Sequence, residues 1–222
     1  MKRIPEDELM NDPDHARAYA ETDFLEPHES FVRNFKKRFP DFHNGEVLDL
    51  GCGPADITLR FARRFPDTRI TGIDGSQAMI DIGMNDIKLS GLSHRIRLKN
   101  DLLPSPGLFN HDFDVVISNS LLHHLQDPSV LWQTVKLCVK QDSPVFIMDL
   151  LRPENIEDAK KLVHLYVSDA PDLLQKDFFN SLLASYTVKE VEEQLKKNGI
   201  SYLNTEVISD RHMIIWGRMD DY

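Results

Sequence analysis

From Glu46 onward, short apolar runs alternate with segments whose apolar positions recur every three to four residues. The runs Glu46–Cys52, Thr68–Asp74, His94–Asn100, Phe113–Ser120 and Ser143–Leu150 read as five strands. Between them, Asp56–Phe65 offers Ile57, Leu59, Phe61 and Phe65 for packing as a helix. A second helix is expected from Ser76, a good N-cap, to Gly91, a good residue to follow a helix end. Asp127-Pro128 supplies a cap followed by proline at the first helical position, opening a third through Val139. Near-continuous apolar strands alternating with helices predict a parallel sheet covered on both faces. The expected fold is therefore α/β, a doubly wound, Rossmann-like, mostly parallel sheet.

The last third departs from this alternation. Arg152–Ser185 is a long insertion, with Ile156, Ala159, Val163, Tyr166 and Val167 on one helical face and a break at Pro171. Thr187 and Glu190 form a capping box for a helix ending at Gly199. Ser201–Ser209 and His212–Arg218 are strand-like and separated only by Asp210 and Arg211, which predicts an antiparallel hairpin. The expected organisation is a single domain. It comprises a helical N-terminal lid over 1–44, a ligand-binding core over 45–150, a helical insertion over 151–186, and a terminal helix and hairpin over 187–222.

Composition narrows the function classes. A chain of 222 residues with 41% hydrophobic and 28% charged residues is ordinary for a soluble globular protein. No run approaches a membrane span, and the N-terminus lacks the apolar stretch of a signal peptide, so a cytoplasmic protein is expected. Two cysteines, Cys52 and Cys138, are too few for a disulfide framework, and no Cys/His spacing suggests zinc, so no metal is expected. The formal charge of −10 disfavours non-specific attraction to phosphate backbones. The run Arg33–Arg38 is the only short basic candidate for a nucleic acid, and a solvated helix face is its simpler reading.

Chemistry should lie at the carboxyl ends of the strands, at Gly51–Gly53, Asp74, Asp101, Asn119 and Asp149. The turn lacks a dinucleotide fingerprint, because Asp56 stands where a third glycine would be, and a carboxylate there repels a pyrophosphate. Asp49 before the turn adds to this. No P-loop is present. A nucleoside bearing an ammonium, a carboxylate and a positive centre suits the turn better. Asp74 is placed to accept from ribose hydroxyls, and Asp101 from an exocyclic adenine amine.

The segments "VLDLGCGPAD", "ITGIDGSQAMI", "LKNDLLPSP" and "FDVVISNSLLHHLQDP" resemble the successive motifs of class I S-adenosylmethionine-dependent methyltransferases. The nearest set includes the ubiquinone/menaquinone-biosynthesis enzymes, and the similarity covers roughly residues 45–150. The resemblance implies S-adenosyl-L-methionine as cofactor. It further implies that Asp49, Gly51, Cys52 and Gly53 surround the methionine end, and that Asp74 and Gly75 serve the ribose. Asp101 and Leu102 would meet adenine, Asn119 would line the sulfonium side, and Tyr19 of the N-terminal helix would cap the cofactor. Ala55 replaces the family's last motif glycine, which is tolerable if its φ is negative.

Methyl transfer from a sulfonium needs position more than acid–base help. Where a base is needed, His123 and His124 are the candidates, although "LLHHL" is also compatible with a plain helical turn. Tyr19, Phe24, His164, Tyr166, Phe178 and Phe179 are candidate lid and pocket residues, and Arg152 and Arg211 candidate anchors for an anionic acceptor. The expected partner is a small-molecule methyl acceptor, with no membrane and an unread oligomeric state. An RNA-modifying enzyme and a non-catalytic cofactor-binding sensor are the competing readings.

Overall fold

The computed structural model describes residues 1–222 except 7–8, 23–24, 110–111 and 221–222. Two helices, α1 (Pro13–Ala20) and α2 (Leu25–Arg38), precede the sheet. The alternating core then runs β1 (Asn44–Leu50), α3 (Asp56–Arg64), β2 (Asp67–Asp74), α4 (Gln77–Leu89), β3 (Ile96–Asn100), β4 (Val115–Asn119), α5 (Ser129–Cys138) and β5 (Pro144–Leu150). The insertion forms α6 (Ile156–Val167) and α7 (Asp172–Ala184), and α8 (Val188–Lys197), β6 (Asn204–Val207) and β7 (His212–Arg218) complete the chain.

The sheet order is β3-β2-β1-β4-β5-β7-β6. β1 to β5 pair in parallel, whereas β7 lies antiparallel to both β5 and β6. β1 has β2 on one side and β4 on the other, so the winding direction reverses between β1 and β4. Ligands bind such sheets at that reversal. The expected hairpin is present, but its first strand is four residues long and the connection spans residues 208–211.

One face of the sheet is sealed by α2 and α3 through packed aromatic rings. Phe35 meets Phe61 with centroids 4.8 Å apart and Phe146 at 5.7 Å, both edge-to-face. The other face buries Trp132 of α5 completely, its indole N–H donating to Gln194 Oε1 at 3.0 Å. β5 is buried at all seven positions, as an inner strand with both faces covered must be.

Local signals explain most helix ends. Ser76 Oγ accepts from Met79 N at the start of α4, and Gly91 follows its end at φ +73°. The Thr187–Glu190 capping box is closed at α8. Asp127 accepts from Ser129 N, although the helix proper starts at Ser129. On α6 the expected apolar face is only partly used. Ala159 is buried, but Ile156 and Tyr166 stay exposed because the helix packs on α7 at the molecule's rim.

The N-terminal segment crosses the ligand face as a strap. Ile4 N donates to Leu183 O, Arg3 donates to the carbonyls of Ala184, His123 and Leu125, and Met10 O accepts from Ser76 Oγ. It thereby links α7, the turn after β4 and the start of α4. No helix among the described residues is long and apolar enough to cross a membrane.

Candidate functional site

The turn after β1 is built on positive backbone angles. Gly51 has φ +71°, Gly53 +51° and Ala55 +67°. The condition under which alanine would be tolerated at Ala55 without strain, a negative φ, is thus not met. The turn needs the left-handed conformation at that position, and alanine adopts it at a cost of about 1–2 kcal/mol. Gly51 and Gly53 are glycines for different reasons. A Cβ on Gly51 would lie 2.9 Å from Leu121 Cβ, whereas one on Gly53 would meet nothing within 4 Å. The space beside Gly53 is therefore cavity, and its bare backbone is free to touch a ligand.

Asp74, ending β2, organises this turn. Its Oδ2 accepts from Gly53 N and its Oδ1 from Ser76 N, each at 2.8 Å. Each oxygen retains a second lone pair. Burial pushes the Asp74 pKa up, opposed by the N–H groups of Ser76 and Gly53. Asp49 is more enclosed still, with Thr58 Oγ1 donating to its Oδ2 at 2.6 Å. Burial raises Asp49 to about 7 despite the Thr58 bond, with nearby Asp74 adding to the rise. A cation placed beside Asp49 would reverse that penalty. Asn119 at the end of β4 gives Nδ2 to Ser120 Oγ, but its buried Oδ1 has no hydrogen-bond partner among the described residues. It awaits a donor.

Around these groups lie a chamber of about 290 Å³, lined by Tyr19, Asp49, Gly51, Cys52, Gly53, Asp56 and Asn119, and a cavity of about 1370 Å³. The larger cavity shares Tyr19, Gly51, Gly53 and Asn119 with the chamber and continues past Asp74, Gly75, Asp101 and Leu102 to the histidine turn and the insertion. Leu102 is 62% exposed, an apolar side chain standing at the cavity rim. Asp101 accepts from Leu102 N and Ser105 Oγ. Tyr19 reaches in from α1. Burial, then the carboxylates of Asp74 and Asp56, push its phenol up to about 12. Burial, then Asp49 and Asp74, also hold the Cys52 thiol well above its ordinary range, so it is un-ionised at neutral pH.

His123 and His124 lie in a short 3₁₀ turn after β4, and both line the larger cavity. His123 is buried, with Nδ1 2.5 Å from Asp149 Oδ1. Asp149 also accepts from Leu122 N and Leu150 N. Burial disfavours the charged form of His123, but Asp149 and then Glu6 outweigh it and raise the pKa. His124, mostly buried, is driven well below its ordinary value by desolvation and by His123.

All ten residues expected at the cofactor thus line one or both chambers. Of the pocket candidates, Tyr166 and Phe178 line the cavity, Phe179 packs against the α6–α7 core, His164 is exposed on α6, and Phe24 lies outside the described residues. Arg211 lines the cavity and stacks its guanidinium 3.2 Å over the Tyr166 ring. Arg152 does not. It is buried against Ser185 O and Glu190, tying β5 to α8. Sequence reasoning missed Glu6 and the Asp149–His123 pairing. Asp149 was legible as a strand-end carboxylate, whereas the strap that delivers Glu6 carries no local signal.

Residues 47–142 match the family described as a methyltransferase domain. Along nearly its whole length the chain superposes on a solved S-adenosylmethionine-dependent methyltransferase from Aquifex aeolicus (TM-score 0.67, 16% identity, 92% of this chain and 97% of that one). The chain has a class I S-adenosylmethionine-dependent methyltransferase fold. The plantazolicin methyltransferase, solved with S-adenosylhomocysteine, shares this methyltransferase fold (TM-score 0.70, 15% identity, 93% and 91% covered). By sequence, the chain is 23% identical over 172 residues to carboxy-S-adenosyl-L-methionine synthase of Campylobacter lari, covering 73% of this chain and 72% of that one. Demethylmenaquinone methyltransferase of Porphyromonas gingivalis is 28% identical over 109 residues, of which this chain spans 44% of the length.

Proposed function

We propose that the protein transfers the methyl group of S-adenosylmethionine to a small molecule seated between Asn119, the histidine turn and the insertion helices. The observation that carries this reading is the size and continuity of the cavity, about 1370 Å³ from the glycine turn to α6 and α7. A pocket for one small ligand typically measures roughly 300–1,000 Å³. There is room for donor and acceptor end to end, as an in-line displacement requires.

The donor fits the residues at the strand ends. Asp49 and the orphaned Asn119 Oδ1 receive the ammonium, Gly53 lets the backbone approach, Asp74 offers its remaining lone pairs to the ribose hydroxyls, and Leu102 supports the adenine ring. S-adenosylmethionine supplies an activated methyl group, and the chain's own residues bind and orient. The acceptor compartment is mainly apolar, with Leu121, Leu125, Leu150, Leu174 and Phe178 on its walls. His123 and His124 stand at its polar end and Arg211 at another part of the wall. An acceptor with an apolar body, a nucleophilic atom and an anionic group matches that lining.

The RNA reading gains no support from Arg33–Arg38. Arg33 pairs with Glu26, Lys36 donates to Pro40 O, and Arg38 bonds Asn34 and Glu206. A second reading is favoured by the Campylobacter relative, whose name describes synthesis of a modified S-adenosylmethionine; product analysis therefore includes altered nucleosides. The direct test is thermal and calorimetric. S-adenosylmethionine should raise Tm and bind one per chain while NAD does neither. Stabilisation by NAD alone would overturn the reading.

A further inference from the structure

Three potential metal ligands converge at the polar end of the acceptor compartment. Glu6 Oε1, on the strap, lies 3.3 Å from His124 Nδ1 and 3.7 Å from His123 Nε2. One ligand atom from each of the three residues falls within 4.8 Å of the others. Around a tetrahedral ion with bonds of about 2.0–2.1 Å, neighbouring ligand atoms stand about 3.3 Å apart. The spacing already approaches that geometry before any ion is present.

Two of the three ligands, His123 and Glu6, are also held from behind. Asp149 accepts from the backbone N–H groups of Leu122 and Leu150, so toward His123 it again acts as acceptor. That makes His123 Nδ1 the donor, so the neutral ring presents its Nε2 lone pair to the cluster. A carboxylate behind a histidine, fixing its tautomer, is the arrangement that orients metal ligands. Ser181 Oγ of α7 donates to Glu6 Oε1 at 2.8 Å, a second outer contact. His124 Nδ1 is buried and makes no hydrogen bond among the described residues despite its closeness to Glu6.

We propose that Glu6, His123 and His124 form a site for a divalent transition ion, with an open position facing the acceptor compartment. Two imidazoles and one carboxylate suit zinc and its neighbours better than magnesium or calcium, which prefer all-oxygen shells. Three protein ligands leave a fourth position, as in zinc sites that bind substrate. An oxygen of the acceptor would take it. The inference goes against the sequence expectation of no metal, because the third ligand arrives from a segment more than a hundred residues away. It rests on the proposed function for its view of the neighbouring compartment as the acceptor's.

The test uses the tag-free full chain, stripped with a chelator and titrated with Co²⁺ alone, with Zn²⁺ as competitor. The visible Co²⁺ spectrum reports nitrogen and oxygen ligation in the wild type independently of any variant. One ion per chain with Kd below about 10 μM is expected. Glu6→Gln and His124→Asn should each weaken it at least about tenfold, and Asp149→Asn by about 10–100-fold. Weaker wild-type binding, or affinities unchanged in Glu6→Gln and His124→Asn, overturns the site. Calorimetry with S-adenosylmethionine on the same metal-free sample separates the two claims. Cofactor binding without metal binding defeats this inference alone, and metal binding without cofactor binding defeats the proposed function.

Discussion

Asp49 offers a quantitative handle on the cofactor's position. Its side chain is 1% exposed, receives the Thr58 hydroxyl, and has its pKa raised by burial to about 7. An ammonium beside it favours the carboxylate, so the ligand binds the ionised form and binding expels a proton. With a pKa of about 7, roughly one tenth of the ligand-free protein is ionised at pH 6 and half at pH 7. Affinity for S-adenosylmethionine should then strengthen about fivefold from pH 6 to 7, and about fiftyfold from pH 5 to 7, or roughly 2 kcal/mol. The ligand's own amine titrates near 8 and its carboxylate near 3.5, outside this window. The stability sign runs oppositely. Because the folded pKa lies above the unfolded one, ionised Asp49 destabilises the ligand-free protein as pH rises from about 4 through 7. Asp49→Asn should therefore raise ligand-free Tm at pH 8 while weakening cofactor binding. Calorimetry in two buffers of different protonation enthalpy reads both affinity and proton release. A flat affinity between pH 5 and 7, or the same slope in Asp49→Asn, would refute the placement of the ammonium.

Further substitutions test neighbouring parts. Asp74→Ala removes the acceptors of Gly53 N and Ser76 N and, on the proposed cofactor placement, of the ribose hydroxyls, so cofactor affinity should fall by roughly 10²–10⁴-fold with a lowered Tm; unchanged calorimetric affinity would contradict this. Gly51→Ala and Gly53→Ala should separate packing from binding. Both pay about 1–2 kcal/mol for positive φ, but only Gly51→Ala also collides with Leu121, so it should unfold at markedly lower denaturant while Gly53→Ala stays folded and loses the cofactor. At low pH, Asp56 matters. Burial raises its pKa, but His28 and Arg60 outweigh that and hold it at about 2, so the stability it contributes is present above about pH 4 and fades as pH falls toward 2. Acid titration of Asp56→Asn should lack that component. Phe35→Ala should cost about 3–5 kcal/mol in urea unfolding, because the ring is fully buried among five other phenylalanines.

What was legible in the sequence is what local physics determines. The apolar runs of β1, β2, β4 and β5, the Ser76 and Thr187 caps and the Pro171 break all correspond to observed elements. The residues expected around the cofactor were read from the same local signals, since all but Tyr19 of α1 lie at a strand end or in the turn that follows it. The errors arise where tertiary contacts decide. Arg152 was a candidate anion anchor until its neighbours Ser185 and Glu190, more than thirty residues on, were known to enclose it. Alanine at position 55 would be free of strain only at a negative φ, and the geometry of the turn imposes a positive one. The strap's path from α7 to α4 and its delivery of Glu6 beside His123 follow from backbone and side-chain bonds to residues distant in sequence, which no periodicity encodes.

Methyl transfer to a small molecule is tested most directly by following the methyl group itself. The full chain is incubated with S-adenosylmethionine labelled in its methyl group and with separate low-molecular-weight and RNA fractions of a cell extract, then the fractions are resolved and counted. Label appearing in a small-molecule product, and absent with Asp74→Ala, is the predicted result. Label in RNA, or turnover undiminished by Asp74→Ala, would contradict it.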